Sequence, residues 1–463
     1  MSARALAPLL LALAAAPIQA QEVLIIGTPE TPAAVLPEPT APIERHTLEL
    51  GIDRLWTEFG AFTEGEARAA TGAHFTGVVA AAWRPAPAWE LRAALRLDGD
   101  AQSGADRLRA LALDYDESYL RYRNPQRRVT LGAQTVLWGR VDEIPPTDRL
   151  SVQDISRFAI DELDDRRRAV PLLRWEEFGT DHKLDLVVIP AFRPAELPDD
   201  DSVWYPVDRD QGRLLGIRSD PLLAALVRGA STGDDRPGGA GAGLRFSHSL
   251  SGLDYALTVQ HTRHSLPYYE LDPAVRRALL DGADVASALA AGGERPTFLG
   301  RHPYTTILGG DLGVVVGGAT LRLEAAWLSD VPVTTRDLRL DTVAGLDWVA
   351  GIEFYPGDAD TRINLQLAGR HLLDAPPVID WVDTLSLNGQ LESEWGQGRW
   401  RGRLRFAAGL NRHDLYLNPE IAYIAREPHE FYLGAHYFDG EDGTFGDFYA
   451  DDTLIATGWR VRY

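Results

Sequence analysis

Apolar and polar side chains alternate strictly over the last ten residues. Ile455, Thr457, Trp459, Val461 and Tyr463 fall on one face, and Ala456, Gly458, Arg460 and Arg462 on the other. A period of two is the repeat of a β-strand. The same pattern recurs from about Arg45 onward. Trp89, Leu91, Ala93, Leu95 and Leu97 oppose Glu90, Arg92, Ala94, Arg96 and Asp98. Leu321, Leu323 and Ala325 oppose Arg322 and Glu324, while Trp400, Leu404 and Phe406 oppose Arg401, Arg403 and Arg405. A soluble sandwich also alternates, but polar faces this rich in arginine could not be packed into a dry core.

The connections sharpen the pattern. Short turns fall at Pro85-Ala86-Pro87, Asn124-Pro125-Gln126, Ser251-Gly252, Gly317-Gly318, Pro356-Gly357-Asp358, Gly396-Gln397-Gly398 and Glu427-Pro428. Between them lie longer segments near residues 60–74, 99–114, 139–169, 193–240, 265–303, 330–343, 373–382 and 439–452. Short turns on one side and long loops on the other are the signature of an all-β, transmembrane antiparallel β-barrel. Counting hairpins predicts roughly 18 strands with both termini periplasmic. Sixteen stays open, because Arg412-His413-Asp414 must otherwise make a tight turn on the loop side. Trp56, Trp83, Trp89, Tyr122, Trp327, Trp348, Trp395, Trp400 and Trp459 lie near strand ends, as interfacial girdles require.

The two chain ends set the compartment. Residues 1–20 run from a short positive start through an apolar stretch to Ala20, which reads as a secretory signal peptide. Residues 21–44 form a proline-rich periplasmic tail, and the barrel occupies 45–463. The closing strand resembles the C-terminal signal by which bacterial outer-membrane proteins are recognised for insertion, with Gly458, Val461 and Tyr463 in place. That resemblance implies the barrel-assembly machinery as a partner, with outer-membrane lipid and lipopolysaccharide around the barrel. The alternation places Tyr463, Val461 and Trp459 toward lipid and Arg460 and Arg462 in the lumen. The chain has no cysteine, which excludes disulfides and thiolate sites. Its net charge of −21 argues against nucleic-acid binding.

Charge is densest between Gly139 and Val170. Asp142, Glu143, Asp148 and Asp154 stand there among Arg140, Arg149, Arg157, Arg166, Arg167 and Arg168. Such a segment resembles the inward constriction loop of general porins. Facing arginines on the wall would be Arg92, Arg96, Arg401, Arg403 and Arg405. Opposed charges across a narrow pore orient polar solutes and set ion selectivity. A solvated extracellular loop with internal salt bridges is the alternative. Ser151 is placed to cap a short helix through Ile155 and Phe158.

Gly132-Ala133-Gln134-Thr135-Val136-Leu137-Trp138-Gly139 is similar to a Gly-x-Gln-x-Val-x-Trp-Gly block of a proteobacterial outer-membrane family without an assigned function. Members are often encoded beside resistance-nodulation-division exporters. The resemblance implies a barrel with a structured inward loop and a transport setting, with a periplasmic or inner-membrane transport partner.

Two loops carry helix signals, an aspartate cap, a proline at the first position and a glycine stop. These predict helices over Leu222–Arg228 and Ala274–Ala291, the second able to plug the barrel mouth or to cover its own loop. Elbow, zinc-helix and phosphate-loop motifs are absent, so no catalytic residue, metal or cofactor is assigned. Three functions follow in order: a porin-like channel for small solutes, a plugged barrel serving an exporter, and an outer-membrane hydrolase using Ser247 and His261. The acidic run Asp439 to Asp452 bridges calcium to lipopolysaccharide or is simply solvated.

Overall fold

The computed structural model describes residues 47–462, apart from 64–67, 105, 144, 159, 236 and 358–359. The signal peptide, the tail and Tyr463 therefore lie outside the described residues. The chain forms β1 (Thr47–Phe62), β2 (Ala69–Ala86), β3 (Trp89–Gly104), β4 (Leu108–Tyr115, resuming as Ser118–Arg123), β5 (Arg127–Gln134) and β6 (Val170–Phe178). It continues through β7 (His182–Ile189), β8 (Gly241–Leu250), β9 (Leu253–Arg263), β10 (Tyr304–Val316), β11 (Ala319–Thr334) and β12 (Leu340–Phe354). The last staves are β13 (Thr361–Leu372), β14 (Asp383–Trp395), β15 (Trp400–Gly409), β16 (Asp414–Arg426), β17 (His429–Gly440) and β18 (Leu454–Arg462).

Each strand pairs antiparallel with the next, and β18 returns to β1 from Phe62↔Leu454 to Arg54↔Arg462. The sheet is thus a closed 18-strand barrel. Closure removes the edges, so every stave finds a backbone partner on both sides. Residues 410–413 make the tight turn between β15 and β16, which settles the count against sixteen. Gly179-Thr180-Asp181 joins β6 to β7 as a short turn that the sequence pattern did not reveal.

Three expected loops are largely strand. β1 and β2 run through most of 60–74, β3 runs to Gly104 and β4 starts at Leu108, and β11 and β12 leave only 335–339 between them. The ladders slip between Ala69 and Thr71 and between Leu328 and Val331, so alternation is blurred there. Cross-strand partners hold them, as in the 2.6 Å bond between the Thr71 and Ser103 hydroxyls.

Leu50 is 76% exposed and Leu111 74%, and Leu131, Leu257, Leu323 and Leu433 are also exposed on the outer face. Around a soluble protein such a surface would aggregate; around a closed barrel it is the band that lipid covers. Trp83, Trp89, Trp395 and Trp400 stand exposed at the turn ends of their staves, with Trp89 against Tyr122 and Trp400 against Tyr423 at 5.1 Å. They form the girdle.

Trp56 does not join it. The β1–β2 register slips between Ile52 and Arg54. That bulge reverses the phase of β1 and turns Trp56 into the lumen, where its Nε1–H donates to Tyr432 Oη at 2.8 Å. In β18, Ile455 is exposed and Arg460 is held in the lumen by Glu420 and Glu430 at 2.9 and 3.1 Å. Val461, expected against lipid, is only 2% exposed, covered where it pairs with Leu55 and His429. Gly458 has a packing reason as well: a Cβ there would run into the Tyr432 ring. Gly458→Ala should therefore push Tyr432 off Trp56 and cost about 1–3 kcal/mol by overpacking. A lowered temperature for loss of the compact, heat-modifiable gel form would show it.

Both expected loop helices are present, the second in two pieces. α1 (Pro221–Gly229) is capped by Asp220, as its signals indicate. The second helix breaks in two, α2 (Pro273–Leu280) and α3 (Val285–Gly292). Gly282 sits at φ 87° in the break, and Asp284 starts α3 by accepting from Ser287 N. Leu226, Val275 and Ala288 bury against one another, with Leu279, Val285 and Leu289 beside them, so the helices cover their own loop core.

Candidate functional site

The site is the lumen and the segment 135–169 that fills part of it. β5 ends at Gln134, and the chain then turns into the barrel instead of away from it. An apolar root fixes this turn. Val136, Trp138, Leu150 and Val152 pack on Val170 and Leu172 of β6 and Val187 and Ile189 of β7. Trp138 Nε1–H donates to Asp185 at 3.3 Å. The wall is cut back to admit the root: a Cβ on Gly243 of β8 would meet Trp138 and Leu150 at 2.7 Å. Gly139 takes φ 129°, a conformation that favours glycine, with Glu324 and Pro145 pressed against it. Ser151 caps no helix. Val152–Gln153 instead pair with Arg167–Arg168, and the Ser151 hydroxyl donates to Asp148.

Beyond the root the contacts become polar and reach most of the way round the wall. Glu324 of β11 accepts from Arg140 N and Thr147 N at 2.8 Å and from the Thr147 hydroxyl at 2.7 Å. Gln260 of β9 donates to Thr147 O. Arg149 reaches Asp347 of β12 at 2.5 Å. Asp142 meets Arg322 of β11 and Arg362 of β13, each at 3.3 Å, and Asn364. On the other side Asp154 meets Arg96 of β3 at 3.2 Å, Arg168 meets Asp98 of β3 at 2.8 Å, and Asp165 meets Arg54 of β1 at 2.6 Å. Arg157 pairs with Glu58 of β1. Arg403 and Arg405 of β15 hold Glu162 and Glu143 at 2.5 and 3.5 Å.

The structure thus brings Asp142, Glu143, Asp154, Arg96, Arg403 and Arg405 together between segment and wall. The other candidates are engaged elsewhere. Asp148 pairs inside the segment with Arg167 at 2.7 Å. Arg92 pairs sideways with Asp53, and Arg401 with Glu430 at 2.7 Å and Glu392 at 3.8 Å. Acids and arginines expected at the constriction are therefore paired, from segment to wall at some positions and sideways along the wall at others. Wall arginines are neutralised laterally wherever the segment does not reach them, because an uncompensated charge in a narrow lumen is costly.

Glu58, Asp98, Asp311, Glu324 and Asp347 are wall acids not among the expected constriction residues. The inward position of Asp98 and Glu324 was readable from alternation alone. Which segment residue each would meet was not, since the partners lie many residues away.

The hydrolase pair does not assemble. Ser247 lies on the lumen side in register with Lys183 and Ala256, whereas His261 is exposed on the outer face, stacked on Tyr304 at 4.9 Å. His264, in the loop after β9, is lowered to about 4 by burial and bonds Asp330 O at 2.7 Å. The acidic run from Asp439 is dispersed over protein partners: Asp442 takes Ser219, Asp447 takes Arg213 and Asp452 takes Arg68. Among the described residues, no group of three or more acidic or histidine side chains converges as a metal site.

No protein-family model matches the chain. No curated protein matches it either. Among solved structures it is similar to a BenF-like porin from Pseudomonas fluorescens Pf-5, at 9% identity and TM-score 0.47, covering 90% of this chain and 98% of that one. It is also similar to Acinetobacter baumannii OccAB4, at 7% identity and TM-score 0.47, covering 90% and 97%. A third is the outer membrane channel DcaP of Acinetobacter baumannii, at 10% identity and TM-score 0.40, covering 90% and 98%.

Proposed function

We propose that the protein is an outer-membrane channel for small solutes, with residues 135–169 as its constriction. The observation that carries this reading is the segment's double character. It is rooted by apolar packing on one wall and tied to the others by ion pairs and hydrogen bonds. A polar lumen inside an apolar outer band is the arrangement of a water-filled passage. A segment across that passage narrows it, so size and charge select what crosses. In proteoliposome swelling, a pentose should enter measurably and a trisaccharide should not. Equal rates for both, or no swelling with correctly folded protein, would end the reading.

The many attachments of the segment favour a second reading, a plugged barrel serving an exporter. The block Gly132 to Gly139 supports it, since it leads into the root of the constriction. Deletion of Val23 to Pro42 should then abolish export of a toxic solute while insertion persists; unchanged export would remove this version.

A further inference from the structure

Glu143 is the loosest of the carboxylates tying the segment to the wall. It lies 3.5 Å from Arg405 Nε and 3.8 Å from an Arg166 terminal nitrogen, both beyond good hydrogen-bond distance. The Arg405 guanidinium is otherwise fixed. Arg405 is 5% exposed and donates to Ile160 O and Asp161 O at 3.2 Å, which aims its Nε at Glu143. Arg166 Nε is buried without a hydrogen-bond partner, and so is Nε of Arg403, two residues from Arg405 on the same face of β15. The ties of Asp154 to Arg96 and of Asp347 to Arg149, by contrast, close at 3.2 and 2.5 Å. Glu143 itself keeps 22% of its side chain exposed.

From this geometry we infer that Arg166 and Arg405 form a subsite for a carboxylate-bearing solute, which Glu143 occupies as a tethered stand-in. The inference rests on the channel reading and names the class of solute. Guanidiniums match a planar carboxylate in both charge and fork geometry. The segment's own carboxylate fits between them but stops short of closing the hydrogen bonds. A free carboxylate can close them, and Glu143 then swings into lumen water. In a chain of net charge −21, the site is a local exception that lets an anion bind where the general field repels it.

Sodium acetate is the probe, because it reproduces the Cγ and carboxylate that Glu143→Ala removes. Acetate block of single-channel current in chloride should be at least about tenfold tighter in Glu143→Ala than in the wild type, since the tethered competitor is gone. Arg405→Gln or Arg166→Gln in the Glu143→Ala background should abolish that block, in protein that keeps its heat-modifiable gel form. Equal block in Glu143→Ala and wild type would overturn the inference, as would block that survives both arginine replacements. Acetate binding to the detergent-folded barrel, read by saturation-transfer NMR, separates the two readings. Arginine-dependent binding to a barrel that carries no chloride current would keep the subsite and remove the channel. Current without arginine-dependent binding would do the reverse.

Discussion

Excising residues 140–168 and joining the ends with a short glycine–serine link should raise single-channel conductance about threefold or more, since 16–18-stranded barrels without an obstruction leave an aqueous channel. The barrel does not need the segment to close. Its hydrogen-bonded ladder runs unbroken from β1 to β18 and back, and β5 pairs with β6 directly from Gln134↔Val170 onward. What is lost is half of the root, Leu150 and Val152, while Val136 and Trp138 stay. Val170, Leu172, Val187 and Ile189 would be partly uncovered to lumen water, so some stability goes with the excision. Should that variant not fold, Asp142→Asn with Arg149→Gln removes the ion pairs to β11, β12 and β13 and leaves the root and the Glu324 anchor in place. Its conductance should rise less than on excision, with noisier open levels. Unchanged conductance in both variants would mean that the segment does not limit flow.

Replacing Glu324 should have the second-largest effect. One side chain there satisfies two backbone N–H groups and a hydroxyl of the segment, in the middle of the lumen. Glu324→Ala leaves Arg140 N and Thr147 N without an acceptor, at a cost of about 1–3 kcal/mol for each one that water cannot reach. Glu324→Gln keeps a single acceptor oxygen and should lose roughly half of that. The elbow Gly139–Thr147 would come loose while the barrel, which pairs Glu324 only with Val349 and Asp311 along its ladder, stays intact. Rapid closures and reopenings in bilayer recordings should follow, together with protease cutting near Arg140 from the open side. Quiet traces and an uncut segment in Glu324→Ala would show that the elbow does not depend on this anchor.

The architecture was readable because lipid imposes a rule the sequence must obey at every second position. Leu95 outward and Arg96 inward follow from that rule alone, and so do Arg403 and Arg405. It failed where backbone pairing breaks phase. One inserted residue at Asp53 turned Trp56 from the girdle into the lumen. It was also silent at the tips, where small residues and a register slip between Ala69 and Thr71 hid the strand ends. The constriction segment was legible as a charged, structured stretch, but its partners were not. Asp148 and Asp154 look alike in sequence; one closes on Arg167 within the segment and the other crosses to Arg96. Only the path of the chain through the lumen decides between them.

Single-channel recording of the refolded wild-type protein in potassium chloride bears most directly on this account. Discrete steps, small beside those of the excised barrel under the same salt, are the predicted result. A correctly folded barrel that never conducts, or one whose steps already match the excised form, would contradict it.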